Sequence, residues 1–298
     1  MFLRTSAISI AFLATAGVAF ADGLSYSSVE VTHMDIEGTT VDNITGSFDY
    51  LTGALSFTGT ADVSDFGGTD VHNLSFSAGY EFMPNMTIYA ALGTSDDGRD
   101  SGSDYGIGAE YKTATYGAAI DYHDYDAFDY EVLTVAGYYE FGNSVVFGSY
   151  RDIEGTSIYN VGYTFDAPTW DVDLESTWYD EFDAGLTSIA TSYALTDAIR
   201  LQTSMTTLND DFFNVGVATL GGEYRFNDAL SLEADYSESY GDNRQAQIFT
   251  LAFKWENGAD RARVLDKVAD FSSNSDPYYD LFTELSAGGV RLGGGGAR

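Results

Sequence analysis

Between Leu24 and Trp255 apolar and polar residues alternate with a period of two, in stretch after stretch. That period sends successive side chains to opposite faces of a strand, so each stretch has one apolar and one polar face. No apolar run reaches the ~18 residues that a membrane-spanning helix needs. Within hydrocarbon every backbone N–H and C=O must be paired inside the protein, and a sheet meets that demand only by closing on itself. The alternation predicts strands over 24–34, 40–51, 54–64, 71–82, 86–94, 105–113, 115–123 and 130–141. It predicts eight more over 144–151, 157–165, 168–179, 185–195, 198–208, 212–226, 229–237 and 245–255. The total is even, as expected of a barrel built from one bacterial chain. The expected fold class is all-β: a transmembrane antiparallel up-and-down β-barrel of about 16 strands with a C-terminal extension.

The region before the first strand reads as a secretion signal over 1–21. Arg4 precedes an apolar stretch from Ile8 to Val18, and Ala19-Phe20-Ala21 fits a cleavage site for export. The barrel is expected over 22–256 and a periplasmic tail over 257–298. Acid outweighs base, with 46 Asp and Glu against 13 Lys and Arg and a formal net charge of −33. Such a chain repels phosphate backbones, which excludes nucleic-acid binding as a main function. Cysteine is absent, so there is no disulfide framework and no thiolate metal site. Pro84 and Pro168 fall in expected turns and Pro277 in the tail, so none removes a ladder hydrogen bond.

The connections divide into two alternating classes. Thr52-Gly53, Met83-Pro84-Asn85, Gly142-Asn143, Thr196-Asp197 and Phe226-Asn227-Asp228 are short. The connections at 35–39, 65–70, 95–104, 124–129, 152–156, 180–184, 209–211 and 238–244 are longer and hold 20 acidic residues against Arg99 and Arg244. Short turns on one side and longer loops on the other match periplasmic turns and extracellular loops. Strands descending to the short turns share an aromatic ending, as in Tyr80-Glu81-Phe82, Tyr139-Glu140-Phe141, Tyr224-Arg225-Phe226 and Phe253-Lys254-Trp255. Aromatics two apart share a face, and stacked around a barrel they form a girdle at headgroup level, joined by Trp170.

The opposite face carries charge. In the strand at 168–179, Trp170, Val172, Leu174 and Trp178 face out, leaving Asp171, Asp173 and Glu175 facing in. Glu233 and Asp235 face in between Leu232, Ala234 and Tyr236, and in the last strand Gln247 and Lys254 are read as inward. Unpaired buried charge is too costly for a dry core, so the interior holds water, as a barrel of this strand number permits. Candidate pore-lining residues are Lys112, Asp121, Glu140, Asp171, Asp173, Glu175, Arg200, Glu223, Arg225, Glu233, Asp235 and Lys254. Lys112, Arg200, Arg225 and Lys254 lie near the short-turn rim among acids, a candidate mixed-charge ring.

At this point the chain resembles the Gram-negative porins of the 16-stranded general-diffusion type, in particular the short alphaproteobacterial ones. The likeness covers the signal and residues 24–255, and its last strand, Gln247 to Trp255, resembles the aromatic-ended segment that barrel-assembly machinery recognises. It implies a bacterial outer-membrane location, with outer-membrane lipid and lipopolysaccharide, small hydrophilic solutes and cations as partners, and it allows a homotrimer. Porins of this kind fold a long third loop into the channel as a constriction. Here the corresponding stretch, with Asp96, Asp97, Arg99, Asp100 and Asp104, is only ten residues long, at 95–104, and is the candidate constriction loop. Its four aspartates and glycines could also hold Ca²⁺, although they do not follow the EF-hand pattern; otherwise no cofactor is expected.

Porins usually end at the terminal aromatic, whereas this chain continues. Val264, Leu265, Val268 and Phe271 fall at helical spacing opposite Arg261, Arg263 and Lys267, and a glycine-rich stretch follows. The expectation for the tail is a short helix followed by disorder in the periplasm, with a lumenal plug or periplasmic tether as the alternative. Catalysis has little to work with. His33, His72 and His123 are the only histidines and lie in expected strands without local partners, so no enzyme is expected. The reading is a passive, cation-preferring diffusion channel; a non-conducting structural or adhesive barrel is the alternative, and a lipid-acting barrel enzyme the second rival.

Overall fold

The computed structural model describes residues 23–66, 70–96, 101–126, 130–180, 184–209, 214–241, 246–258 and 261–272. The expected secretion signal, Asp97, Arg99, Asp100 and the glycine-rich stretch lie outside the described residues. The first eight strands are β1 (Leu24–Ile36), β2 (Thr39–Thr52), β3 (Leu55–Phe66), β4 (Asp70–Met83), β5 (Met86–Asp96), β6 (Ser101–Lys112), β7 (Tyr116–Tyr125) and β8 (Tyr130–Phe141). The next eight are β9 (Ser144–Ile153), β10 (Thr156–Asp166), β11 (Trp170–Tyr179), β12 (Ala184–Ala194), β13 (Ile199–Leu208), β14 (Gly216–Asn227), β15 (Leu230–Tyr240) and β16 (Gln247–Gly258). Each pairs antiparallel with its neighbours in the chain, and β1 closes the ring on β16, with Val31 opposite Phe253. Closure removes both sheet edges and satisfies every ladder within the protein.

The outward face is apolar and bare. Ile107 is 65% exposed and Leu220 67%, both in mid-strand. Apolar side chains this exposed on strand after strand make a surface fit for lipid, so the barrel is transmembrane. Tyr80, Phe82, Tyr139, Phe141, Trp170, Tyr224, Phe226 and Phe253 are likewise exposed toward the end with the short turns, here called the turn end. On the inward face hydroxyls bridge adjacent strands, as Thr58 with Ser77 at 2.7 Å and Thr219 with Ser237 at 2.8 Å. Such cross-strand pairs knit the polar face as apolar packing would knit a dry one.

Three details differ from the sequence expectation. First, the strands run farther at the opposite, loop end. β5 continues to Asp96 and β6 begins at Ser101, directly opposite, so most of the expected 95–104 loop is ladder. Alternation marks a strand only where one side meets lipid; beyond that band both sides meet water and the ladder continues without the pattern. Second, two of the longer acidic connections are two-residue turns, Glu37-Gly38 and Glu154-Gly155, all four residues having positive φ. This is the hairpin geometry that follows strand twist. Asp35 and Asp152 each accept a hydrogen bond from the glycine N–H of the turn, at 2.8 and 3.2 Å. These acids cap turns as well as charging the surface. Third, Gln247 shares the exposed parity of Phe249 and Leu251, while Ile248, Thr250 and Ala252 are the buried, inward residues.

Candidate functional site: the lumen and the segment inside it

β16 ends at Gly258, at the turn end, and the described chain resumes at Arg261 inside the barrel. Residues 261–263 run along the inner wall and lead into α1 (Val264–Ser272), which packs against β6 to β10. This differs from a tail standing away from the barrel. The helical spacing read from sequence supplies the apolar stripe, and Asp266 lies in the first turn, where an acid suits the helix dipole. Val264 and Val268 are buried against Ala119, Ala136, Tyr138 and Phe147, with Val145, Leu265 and Phe271 alongside. The Phe271 ring stands edge-on to Tyr138 at 5.7 Å and tilted to Phe147 at 5.9 Å.

The wall is shaped to receive this segment. Tyr89 lies flat over Gly108, and Phe147 over Gly162; a Cβ added at either glycine would stand 2.2 or 2.0 Å from the ring. Without those Cβ atoms the rings can lie down on the wall and form a floor. Polar groups then fix the register. The Ala262 N–H donates to Asp49 Oδ2 and the Val264 N–H to Glu110 Oε2, both at 2.9 Å. A helix's first N–H groups have no partner within the helix, and here a wall carboxylate supplies one. Arg261 Nε lies 3.5 Å from Asp49 Oδ2 and 3.3 Å from Asp270 Oδ2, with its guanidinium carbon 4.1 Å from the Tyr26 ring centre. Arg263 Nη2 lies 3.5 Å from Asp121 Oδ2, and its guanidinium carbon is 3.7 Å from the Tyr89 ring centre. Lys267 Nζ meets Glu140 at 2.5 Å, Ser272 Oγ donates to Glu175 at 2.5 Å, and Lys112 Nζ donates to the Arg261 carbonyl. Both arginines are buried, and each charge meets a carboxylate, as burial requires.

The segment does not fill the lumen. A cavity of about 1490 Å³ remains, lined from Ser95 and Tyr125 at the loop end to Asn143 and Asp228 at the turn end. Its lining draws most on β1–β4 and β10–β16, with single residues or pairs from β5–β9 and with Phe271 of α1. Among the described residues acidic side chains outnumber Arg200, Arg225 and Lys254 on this lining by twelve to three. Each of those bases has an acid partner: Arg200 with Asp171, Arg225 Nε with Glu223 at 3.0 Å, and Lys254 Nζ with Glu256 at 3.3 Å.

No protein-family model matches this sequence, and no curated protein does. Solved structures do match in shape. A triple mutant of the Rhodopseudomonas blastica porin superposes with a TM-score of 0.54 at 11% identity, over 78% of this chain and 100% of that one. CdiB from Acinetobacter baumannii gives a TM-score of 0.58 at 8% identity, over 78% of this chain and 60% of that one. This chain has the fold of a 16-stranded outer-membrane porin.

Within the porin fold, Asp171, Asp173, Arg200, Glu223, Arg225, Glu233, Asp235 and Lys254 face the open cavity, and Glu140 borders both cavity and α1. Asp121, Glu175 and Lys112 instead meet the C-terminal segment. That takes Lys112 out of the expected rim of charge. Asp104 is not a loop residue: it sits on β6, facing in, 6% exposed and 3.6 Å from His123 Nδ1. Asp96 closes β5, so of the aspartates considered for Ca²⁺ the two described ones, Asp96 and Asp104, are strand residues. The residues that sequence reasoning missed are Tyr26, Asp49, Tyr89 and Phe147 on the wall and Arg261 and Arg263 as anchors. A signal existed, since these three aromatics fall on a face otherwise rich in serine, threonine and acid.

Proposed function

We propose that this porin-fold barrel is a passive diffusion channel of a bacterial outer membrane, admitting ions and small hydrophilic solutes and favouring cations. The observation that carries the reading is a cavity that borders residues of both barrel ends beside α1 and whose charged lining, among the described residues, is mainly acidic. A lumen of one predominant sign raises the local counter-ion concentration, and transport needs no chemistry beyond that bias. α1 narrows the passage from the β6–β10 side and leaves the acid-rich β11–β16 side open. The partial constriction thus comes from the C-terminal segment, in the role that a third loop plays in the porins this sequence resembles. Single-channel recording in planar bilayers under a KCl gradient tests the reading. Stepwise conductance with a cation-selective reversal potential is the expected result. Anion preference would remove the selectivity claim, and absence of conductance would favour a structural barrel.

A further inference from the structure

The two buried arginines occupy sites of the same construction. Each guanidinium lies over a tyrosine ring, Tyr26 at 4.1 Å and Tyr89 at 3.7 Å, and each meets a wall carboxylate at 3.5 Å, Asp49 and Asp121. A wall serine hydroxyl completes each set, with Arg261 donating to Ser47 at 3.3 Å and Arg263 to Ser77 at 3.5 Å. Between them, the backbone N–H of Ala262 is held by Asp49 at 2.9 Å. The arginines are two positions apart on an irregular stretch, and both side chains reach the wall. Ring, carboxylate and hydroxyl together suit a planar guanidinium, which lays its face on a ring while its edge donates in fixed directions, better than a compact ammonium. The barrel itself does not need this arrangement, because its sheet is already closed by β1 and β16.

We propose that the inner wall carries a two-pocket receptor for an Arg-x-Arg peptide backbone and its guanidinium groups. Pocket one is Tyr26, Ser47 and Asp49; pocket two is Ser77, Tyr89 and Asp121. The chain's own Arg261-Ala262-Arg263 fills both, and an arginine-bearing peptide supplied from outside competes for them. The inference stands apart from the channel reading, since occupancy of the pockets does not depend on conduction.

The chain lacks cysteine, which allows a clean reporter in the full-length protein. A Cβ added at Gly117 would stand 2.9 Å from Val264 Cγ2 and 2.7 Å from the Tyr138 ring, so with a small shift of that ring Gly117→Cys and Val264→Cys place two thiols within disulfide reach when the segment is seated. The rate of cross-linking under mild oxidant then reports seating. Adding Arg261→Lys and Arg263→Lys keeps the charge but loses the stacked fork, and should slow cross-linking about tenfold. A synthetic peptide of residues 259–272 in excess should slow cross-linking of the parent pair, while its version with lysine at both arginine positions should not. An unchanged rate in the lysine variant, or equal competition by the two peptides, overturns the proposal and leaves apolar packing or bare charge as the anchor. If the cysteine pair hinders barrel assembly, tryptic cleavage at Lys267 of the otherwise unaltered full chain serves instead. Asp49→Asn with Asp121→Asn should speed that cleavage about tenfold or more. Cleavage as slow as in the parent chain overturns the pockets whatever the channel recordings give.

Discussion

On the β7–β11 side of the lumen, Asp121, Glu140 and Glu175 end in contact with the C-terminal segment, while on the β13–β16 side Glu223, Glu233 and Asp235 line the cavity. The residue types are the same and the strands are built alike. What differs is the medium that meets the carboxylate. Where the cavity reaches, a wall acid meets water or a neighbouring wall side chain, as Glu223 meets Arg225 at 3.0 Å. Where α1 displaces water, each acid meets an arginine, a lysine, a hydroxyl or a backbone N–H, because an unmatched buried charge is costly. One half of the wall is thus specialised for holding a segment, and the other remains available to solutes.

The comparison is broken most strongly by removing a wall acid that the segment covers. Asp49→Ala strips the buried Arg261 of a partner and should cost about 3 kcal/mol of segment docking. Hydrogen exchange at the α1 amides should accelerate accordingly, whereas Glu233→Ala in the open half should leave that exchange unchanged. A second contrast sets the inside of β8 against its outside. Val135 is exposed to lipid and Thr134 faces in, so Val135→Arg should cost roughly 2–4 kcal/mol in denaturant unfolding from vesicles if it lies near the midplane. Thr134→Arg should cost far less and change conductance instead; equal costs would mean that the faces are misassigned. Third, neutralising Arg200, Arg225 and Lys254 together should raise cation selectivity with the melting temperature nearly unchanged, because partly exposed pairs contribute little stability. Unaltered selectivity would move control of permeation to the neighbourhood of α1. The smallest effect is that of salt. Screening shortens from about 8 Å at physiological ionic strength to about 3 Å at 1 M, so the reversal potential should fall toward zero in concentrated KCl. A preference that persists in concentrated salt would point to close contact with the solute rather than to the field of the wall.

Much of the fold was legible because its rules are local. Strand order, inward and outward faces, and the aromatic endings at Tyr139-Glu140-Phe141 and Phe253-Lys254-Trp255 all follow from a period of two and the demand for closure. The strand ends were less legible: around Asp96 and Asp104 the apolar face stops before the ladder does, so a wall residue passed for a loop residue. Glu233, Asp235 and Arg200 could be placed on the lumen wall by parity alone, but parity does not say what stands opposite them. The amphipathic stripe of Val264, Val268 and Phe271 suits a membrane surface, a partner or a lumen equally well, and its spacing names none of them. Only the closed barrel brings Arg261 beside Ser47, 214 positions earlier, and Val264 beside Glu110, 154 positions earlier. The sequence by itself determined an alternating, closable sheet with acid on its inner face. The tertiary structure decided which of those acids meet water and which meet the chain's own arginines, because that depends on where a distant helix lodges once the ring has closed.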